Sequence, residues 1–310
     1  IMAGNASEAQ AAGFLVALRA KGETVAEIAG LARTMRELAI KVDAGGPLVD
    51  TAGTGGGRPT FNVSTTAAFV AAAAGCRVAK HGNRSATGRC GSADVLEALG
   101  ARIDLKPEAV ADSIESLGFG FMFAPNHHTA MRHVVPVRKE LGVRTIFNFL
   151  GPLTNPAGAK RQVIGVSDER ALETLAAALR ELGTENALVV SSADGLDELS
   201  ASGATRVVEL KGGTLDSYEV SPEQLGVEPA PQADWDGTPE RNAEASRRVL
   251  AGEQGPERSL AALNAGAAIY VGGCAETIEA GVRRAEETLD AGAGLELMER
   301  YVERTQALGG

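Results

Sequence analysis

The order of elements that begins after Gly45-Gly46-Pro47 constrains the fold more than any other feature of the 310-residue sequence. A short β-like run is followed by a glycine-containing polar turn and then by a helical segment, first at Leu48-Val49 and again at Cys76 to Ala79. This alternation is typical of a parallel sheet with crossover helices, in which the turns that follow the strands gather at one edge. We therefore expect an α/β protein with a mainly parallel central sheet.

Helical patterns flank this region. Residues 8–40 carry apolar side chains near the helical period, with a break at Lys21-Gly22, and residues 239–308 read as helical segments. Another helix is predicted after Ser167-Asp168-Glu169, which provides a cap and a negative first turn, whereas residues 211–238 are turn-rich with short β-like pieces. Further strands are predicted at Gly120 to Phe123, Thr145 to Phe149, Val163 to Val166 and Ala187 to Val190.

Composition limits the class of protein. A chain of this length with 44% hydrophobic residues can bury a large core in two domains, or in one domain with an appendage. The longest apolar stretch, Ala67 to Ala74, is shorter than a bilayer span, so no membrane helix is expected. The start of the sequence shows no secretory signal, and the three cysteines are widely spaced without a CxxC pair. Together these features predict a cytoplasmic protein with reduced thiols.

The net charge of −10 argues against nucleic acid as a partner, because such binding depends on lysine and arginine that neutralise phosphates. The basic residues are nevertheless clustered, which favours a cleft for small anions within an acidic protein. The clusters are Arg77, Lys80, Arg84 and Arg89, and then Arg132, Arg138, Lys139 and Arg144.

The turn from Asp50 to Arg58 is rich in glycine, follows a predicted strand and precedes a predicted helix. Small residues there let backbone amides approach an anion, although a plain tight turn has the same composition. It is not a dinucleotide fingerprint, because Arg58 stands at the third glycine position, and no Walker lysine is present. Asn62 to Thr65 then place an amide and two hydroxyls at the start of the next helix, where the helix dipole favours phosphate.

The second donor-rich run extends from Lys80 to Ser92, after the second predicted strand. Polyanions bind at the carboxyl edge of parallel sheets, so this density of donors favours a ligand site over a solvated loop.

These segments resemble the successive signatures of the anthranilate phosphoribosyltransferases. The resemblance covers almost the whole chain and weakens only around residues 205–255. It rests on Gly53-Thr54-Gly55-Gly56, Asn62-Val63-Ser64-Thr65, Lys80-His81-Gly82-Asn83-Arg84, Phe123-Ala124-Pro125, Glu140-Leu141-Gly142, Leu150-Gly151-Pro152-Leu153-Thr154-Asn155-Pro156 and Asp194-Gly195-Leu196-Asp197-Glu198.

The resemblance implies a Mg²⁺-dependent enzyme of tryptophan biosynthesis that joins anthranilate to phosphoribosyl pyrophosphate (PRPP). PRPP would bind at Gly53, Gly56, Gly57, Thr60, Asn62, Val63, Ser64, Thr65, Lys80, His81, Gly82, Asn83, Arg84, Ser85, Ala86, Thr87, Gly88 and Ser92. Anthranilate would bind at Gly53, His81, Asn83, His128 and Arg138, and Mg²⁺ at Ser64, Asp197 and Glu198. The catalytic residues would be Lys80, Asn83 and Arg138.

The chemistry of these residue types agrees with the implied roles. Magnesium is usually held by one or two carboxylates together with substrate phosphates, which suits Asp197-Glu198. Arginine grips a carboxylate through two parallel hydrogen bonds, which suits Arg138 and the acid group of anthranilate. The pair His127-His128 with His133 could instead indicate zinc, but no HExxH motif or cysteine cluster accompanies it.

Members of the family combine a small helical domain with a larger α/β domain, and are commonly homodimers through the helical domain. By that resemblance we expect residues 1–46, with a contribution from about 124–145, to form the helical domain, and residues 47–310 the PRPP-binding domain. The substrate cleft would lie between the two.

Two departures from the family pattern bear on the site. The family has an aspartate after its second pair of glycines, where this chain has Gly57-Arg58, and Thr87-Gly88 replaces paired serines. We predict an altered magnesium dependence and weaker PRPP binding. Three alternatives remain: a nucleoside phosphorylase of related fold, a nucleic-acid-binding relative without activity, and a degraded site kept for structure.

Overall fold

A computed structural model describes residues 1–85, 90–231, 235 and 237–308. Thirteen α-helices lie in this part of the chain, and α6 and α8 are single turns. None of them is long and apolar enough to cross a bilayer. The helices are α1 Glu8–Lys21, α2 Val25–Leu38, α3 Val63–Ala73, α4 Ser92–Leu99, α5 Pro107–Leu117, α6 Ala124–His127, α7 Val135–Leu141, α8 Phe147–Leu150, α9 Leu172–Glu181, α10 Pro239–Leu250, α11 Pro256–Val271, α12 Ile278–Asp290 and α13 Ala293–Leu308.

One seven-stranded sheet forms the centre, in the order β3-β2-β1-β4-β5-β6-β7. The first five strands of this order run parallel, and β6 and β7 add an antiparallel hairpin at one edge. The fold class predicted from sequence, helices with a mainly parallel sheet, is therefore confirmed. The strands are β1 Val49–Gly53, β2 Val78–Gly82, β3 Phe119–Phe123, β4 Arg161–Gly165, β5 Asn186–Ser192, β6 Thr205–Lys211 and β7 Thr214–Val220.

The strand order reverses beside β1. From β1 the chain builds outward through β2 and β3, and it then returns to add β4 and β5 on the other side. The turns after β1 and β4 consequently diverge to opposite sides and leave a crevice at the carboxyl edge. Such a switch point is where open α/β sheets bind their ligands.

Each face of the sheet is covered by its own core. In β4, Val163 packs into the core formed with α3, α10, α11 and α13, while the next residue, Ile164, packs into the opposite core with α1, α2 and α9. This follows from the alternation of side chains along a strand. Because α1 and α2 share their core with sheet residues and with Val137 and Ile146, the amino-terminal helices are packed against one face of the sheet. The domain division at residue 46 stays a prediction.

Three sequence expectations need correction. Residues Thr145 to Phe149 are not a strand: the side chain of Asn148 accepts a hydrogen bond from the amide of Thr145 (2.9 Å) and closes the turn that leads into α8. A short apolar run does not distinguish these states by itself. The predicted turns begin later than expected, because Asp50 to Gly53 and Lys80 to Gly82 are strand ends. The β6–β7 hairpin was missed, although Gly212-Gly213, both at positive φ, form its turn.

Helices α11 and α12 approach so closely that only glycine fits at their crossing. A Cβ at Gly281 would lie 2.2 Å from the carbonyl oxygen of Gly266. We expect Gly281→Ala to lower the free energy of unfolding by about 1–3 kcal/mol, because two backbones must separate. Gly13→Ala in α1, where a Cβ meets no atom within 4 Å, should raise it by about 0.5–1 kcal/mol. Urea unfolding of the two variants measures the contrast, and equal effects would contradict it.

Candidate active site

The segment after β5 lies directly on the carboxyl ends of β1 and β4. The amide of Thr54 donates to the carbonyl of Gly165 (2.8 Å), which extends the pairing of the two strands by one residue. A Cβ at Gly165 would lie 1.7 Å from the carbonyl oxygen of Asp197, and one at Gly53 would lie 2.9 Å from its carboxylate. Glycine at both strand ends thus allows Asp197 to lie over the switch point.

The glycine turn is held from outside by residues that the sequence analysis did not assign to it. The guanidinium of Arg144 donates to the carbonyls of Gly55 (2.5 Å) and Thr54 (3.1 Å), and the hydroxyl of Ser167 donates to Gly55 (3.1 Å). The amide of Gly55 lies near the carboxylate of Asp197 and acts to lower its pKa. The sequence signals for Arg144 were its place in the second basic cluster and in the family-like pair Arg144-Thr145, and neither indicated this role.

Lys80 stands at the centre of the site. Its side chain is buried, and its ammonium donates to the carbonyl (2.6 Å) and hydroxyl (3.1 Å) of Thr51 and to the hydroxyl of Ser64 (3.4 Å). Burial lowers the pKa of Lys80 to about 8, while the negative charges of Asp50 and Glu198 act in the opposite direction. The side chain of Lys80 therefore joins the end of β2 to the start of α3.

The acidic pair predicted for magnesium faces this lysine. Burial and the adjacent charge of Asp197 raise the pKa of Glu198 well above its ordinary value, and Lys80 opposes that rise. Burial also raises the pKa of Asp197, whereas the amide of Gly55 and the positive charge of Arg144 act to lower it. Two carboxylates with raised pKa values are poised for a cation, which would relieve both their burial and their repulsion.

The start of α3 has an uncommon backbone. Asn62 is its N-cap and has a left-handed conformation (φ 64°), the one such non-glycine residue in the described part of the chain. Its side chain makes no capping bond to the helix. A helix leaves its first amides without intrahelical partners, so this end can receive a phosphate. The hydroxyl of Thr65 is buried there without a partner among the described residues, and Val63 is buried in the core.

The donor-rich turn after β2 is closed at its base. The hydroxyl of Ser92 accepts from the amide of Asn83 and donates to its carbonyl, both at 3.2 Å. Arg84 points back to α4, with its guanidinium on Asp94 (2.8 Å) and Glu97 (2.9 Å). Arg84 can therefore contact PRPP only if this ion pair opens. Its role in PRPP binding stays a prediction. Ser85 is described, whereas Ala86, Thr87 and Gly88 lie outside the described residues.

A cavity of about 460 Å³ opens beside this turn, between the sheet edge and the helices α2 and α7. It brings together four of the residues predicted for anthranilate, and the guanidinium of Arg138 lies 5.8 Å from the centre of the Phe147 ring. The fifth, Gly53, is not among its lining residues. The sequence analysis predicted His81, Asn83, His128 and Arg138 for this site. It did not predict Met35, Met131 and Phe147, which also line the cavity.

The two histidines of the cavity are neutral. Burial and the neighbouring His128 lower the pKa of His81 to about 3, and burial lowers that of His128 to about 4. The Nδ1 of His81 lies 3.2 Å from the carbonyl of Gly151, while its Nε2 has no partner in the described chain. His127 lies on the carbonyl of Ile40 (2.9 Å). Among the described residues no three His, Cys, Asp or Glu side chains form a metal cluster.

Asp50 braces the second strand end from within, a role that the sequence did not reveal. Its carboxylate accepts from the amide of His81 (3.1 Å) and from the side chain of Asn155 (2.7 Å), which also donates to the carbonyl of Ala79 (2.8 Å). Burial raises the pKa of Asp50 to about 6, against the charge of Lys80. Asp50 began the predicted glycine-rich turn and Asn155 lay inside a family-like motif, but their polar type alone did not indicate burial.

Comparison with known proteins agrees with this geometry along the whole chain. Profiles of the glycosyl transferase family match the helical bundle domain at residues 1–39 and the a/b domain at residues 45–295. The anthranilate phosphoribosyltransferase of Rubrobacter xylanophilus is 54% identical, over 100% of this chain and 92% of its own. The chain belongs to the anthranilate phosphoribosyltransferase family. The resemblance inferred from the sequence is thus confirmed.

Solved structures of anthranilate phosphoribosyltransferases share the fold. The enzyme of Thermus thermophilus superposes with a TM-score of 0.93 at 50% identity, over 98% of this chain and 92% of that one. The enzyme of Saccharomyces cerevisiae, solved in complex with PRPP and Mg, has a TM-score of 0.88 at 28% identity, over 97% and 86%. The same yeast enzyme has been solved with 4-fluoroanthranilate.

The space beside Gly57, where the sequence analysis expected an aspartate from the family pattern, is too small for a side chain. A Cβ at Gly57 would lie 2.4 Å from a carboxylate oxygen of Asp197 and 2.7 Å from its amide. An aspartate placed here would displace Asp197, so Gly57→Asp cannot serve as a simple restoration of the family pattern. The predicted change in magnesium dependence stays a prediction.

We expect Gly57→Ala to reduce kcat/KM for PRPP by roughly ten- to a hundredfold, because the added methyl displaces Asp197 from the strand ends. Initial rates at saturating anthranilate measure the effect, and urea unfolding checks that the fold is intact. Gly203→Ala is the control, since a Cβ there meets no atom within 4 Å. Equal rates for the two variants would show that Asp197 tolerates displacement.

The neutral histidines should appear in the pH dependence of stability. The unfolded chain takes up a proton on His128 below about pH 6.5, whereas the folded chain does so only near pH 4, where its lowered pKa lies. Stability is therefore lost as the pH falls through this window, by up to about 1.4 kcal/mol per pH unit and histidine. His128→Asn should flatten the slope relative to wild type. The raised pKa of Asp50 has the opposite effect on stability, but Asp50 is present in both proteins and does not affect the comparison. The same dependence of stability on pH in wild type and His128→Asn would contradict the lowered pKa of His128.

Proposed function

We propose that the chain transfers the 5-phosphoribosyl group of PRPP to the amine of anthranilate, giving N-(5-phosphoribosyl)anthranilate and pyrophosphate. The observation that carries the proposal is the meeting, at one sheet edge, of Lys80 with the Asp197-Glu198 pair, next to the cavity that holds Arg138. Membership of the family supplies the identity of the two substrates.

PRPP would lie along the crevice at the switch point. Its pyrophosphate would face the glycine turn, the first amides of α3 and the ammonium of Lys80, which together offer positive ends to a polyanion. Its ribose phosphate would face the turn from Asn83 to Ser92. The complex of the yeast enzyme with PRPP and Mg supports this class of ligand.

The residues present fit Mg²⁺. Asp197, Glu198 and the hydroxyl of Ser64 are hard oxygen donors, and no larger cluster of metal-binding side chains occurs among the described residues. Substrate phosphates and water would complete the coordination, as is usual for this ion. When bound, magnesium would neutralise charge that develops on the departing pyrophosphate. Binding would also stabilise the charged forms of two carboxylates whose pKa values are raised without it.

Anthranilate would occupy the 460 Å³ cavity. Arg138 can hold its carboxylate, and the apolar side chains of Met35 and Phe147 provide surfaces for the ring. Since the imidazole of His81 is neutral, its free Nε2 can accept a hydrogen bond from the amine. The yeast enzyme's complex with 4-fluoroanthranilate supports an aromatic acid as the acceptor.

Catalysis would consist mainly of alignment and charge stabilisation. The bond between ribose C1 and pyrophosphate breaks through a state that resembles an oxocarbenium ion, and the amine forms the new bond at the same carbon. Lys80 and the turn amides receive the negative charge of the leaving group, while Asn83 and Arg138 orient the acceptor. The amine loses its proton as or after the bond forms, so a strong base is not required.

The decisive experiment follows anthranilate fluorescence in the presence of PRPP and Mg²⁺, with pyrophosphate measured as the second product. Wild type should consume anthranilate, and Asp197→Asn/Glu198→Gln should lose about a hundredfold or more of the rate. The control is Asp216→Asn/Glu219→Gln, an exposed acidic pair on β7. Turnover by phosphate and a nucleoside instead of PRPP and anthranilate would support the nucleoside phosphorylase alternative and overturn the proposal.

We also propose a homodimer formed through the helical part of the chain. Phe14 and Val16 in α1 and Val135 in α7 are large apolar side chains about half exposed, and Val143 follows α7. A second copy could cover this surface. A cytoplasmic location is proposed on the three free cysteines, which suit a reducing compartment.

A further inference from the structure

Asn242 in α10 lies in the region where the sequence resembles the family least, and no role was predicted for it. Its side chain is buried, with 1% of its surface exposed. It reaches the site through the amide nitrogen, which donates to the side-chain oxygen of Asn62 (2.7 Å) and to the carbonyl of Thr60 (3.5 Å). The amide oxygen accepts from the indole of Trp235 (2.6 Å).

Asn62 in turn contacts the donor-rich turn that precedes α4. Its own side-chain nitrogen donates to the carbonyl of Cys90 (3.2 Å), just before α4. Both ends of its amide are therefore occupied, which explains why Asn62 does not cap α3. Without that contact, a side chain at the N-cap would turn toward the first amides of the helix and compete with a phosphate for them.

The network also fixes an uncommon backbone conformation. Asparagine adopts left-handed φ more readily than most residues other than glycine, and surrounding contacts can hold it there. For Asn62 those contacts are Asn242 and Cys90, which lie in different parts of the chain. Gly237 makes room for the arrangement, because a Cβ there would lie 1.8 Å from the oxygen of Asn242.

We propose that Asn242 is a positioning residue for PRPP, acting through Asn62 to keep the amino end of α3 open to a phosphate. This inference rests on the proposed function. Asn242 does not contact the substrate itself. It fixes the amide of Asn62 away from the helix axis and joins the turn before α3 to the turn before α4.

A purely structural role would instead be packing of α10 on α3. The chain provides a matched control for that role one turn further along the same helix. There the hydroxyl of Thr66 in α3 donates to the hydroxyl of Ser246 in α10 (2.9 Å), and both residues are buried. Ser246→Ala removes a buried contact between the same two helices at a greater distance from the N-cap.

The test compares the steady-state constants of Asn242→Ala and Ser246→Ala. Asn242→Ala should raise the KM for PRPP about tenfold, the effect of one lost buried hydrogen bond, and leave the KM for anthranilate within about twofold. Ser246→Ala should leave both KM values within about twofold. Equal increases in the KM for PRPP in both variants would reduce Asn242 to a packing residue and overturn the proposal.

A double-mutant cycle shows whether Asn242 acts through Asn62. In an Asn62→Ala background, Asn242→Ala should produce no further rise in the KM for PRPP, because the shared contact is already absent. Additive effects would contradict the proposed route. If Asn242→Ala does not fold, Asn242→Asp replaces it, since the aspartate keeps the size and the acceptor for Trp235 but lacks the two N–H donors.

Binding can also be measured without turnover. Trp235 is the single tryptophan of the chain and bonds to Asn242, so its emission should change when PRPP binds in the absence of anthranilate. The PRPP concentration at half-change should rise about tenfold in Asn242→Ala and remain near wild type in Ser246→Ala. Wild-type protein that turns over normally, with an unaltered Asn242→Ala titration, would refute this inference alone. Wild-type protein without PRPP-dependent turnover would refute the proposed function.

Discussion

The approach of Asp197 to the end of β4 is the contact on which the rest of the site depends. Its carbonyl lies where a Cβ of Gly165 would stand, so the segment after β5 can lie directly on the strand ends. Because β1 and β4 are neighbours on either side of the switch point, that segment reaches the glycine turn as well. A larger residue at position 165 would separate the acidic pair from the glycine turn.

The charged side chains at this edge are subject to two opposing effects, burial and attraction to opposite charges. Burial opposes the charged forms of Lys80, Asp50 and Glu198, and each is supported by an opposite charge nearby. Opposite charges in a partly dry site attract strongly, but the remaining desolvation cost favours a polyanion and a cation that complete the balance. Substrate binding would therefore relieve an electrostatic strain present in the free protein.

Helices far from the turns supply much of their rigidity. The amino-terminal helices share a core with the sheet and form one wall of the 460 Å³ cavity through Met35. On the other face, Asn264 in α11 exchanges hydrogen bonds with the amide (3.0 Å) and carbonyl (2.9 Å) of Leu199, next to Glu198. With Asn242 on α10, it shows how the carboxyl-terminal helices hold the site by buried amides. Such amides satisfy backbone groups that would otherwise be costly to bury.

The sequence by itself determined the alternation of strands and helices and the glycine- and donor-rich turns, because these depend on periodicity and on residue types within short windows. The role of the acidic pair Asp197-Glu198 came from the family resemblance, since such a pair taken alone is more often a solvated turn. It misplaced residues 145–149, where a short apolar run has no distinguishing period. Only the tertiary structure decided which turns meet and what holds them. The bond between Asn62 and Asn242 joins residues 180 positions apart, and a local pattern carries no information on which distant group will satisfy a buried amide.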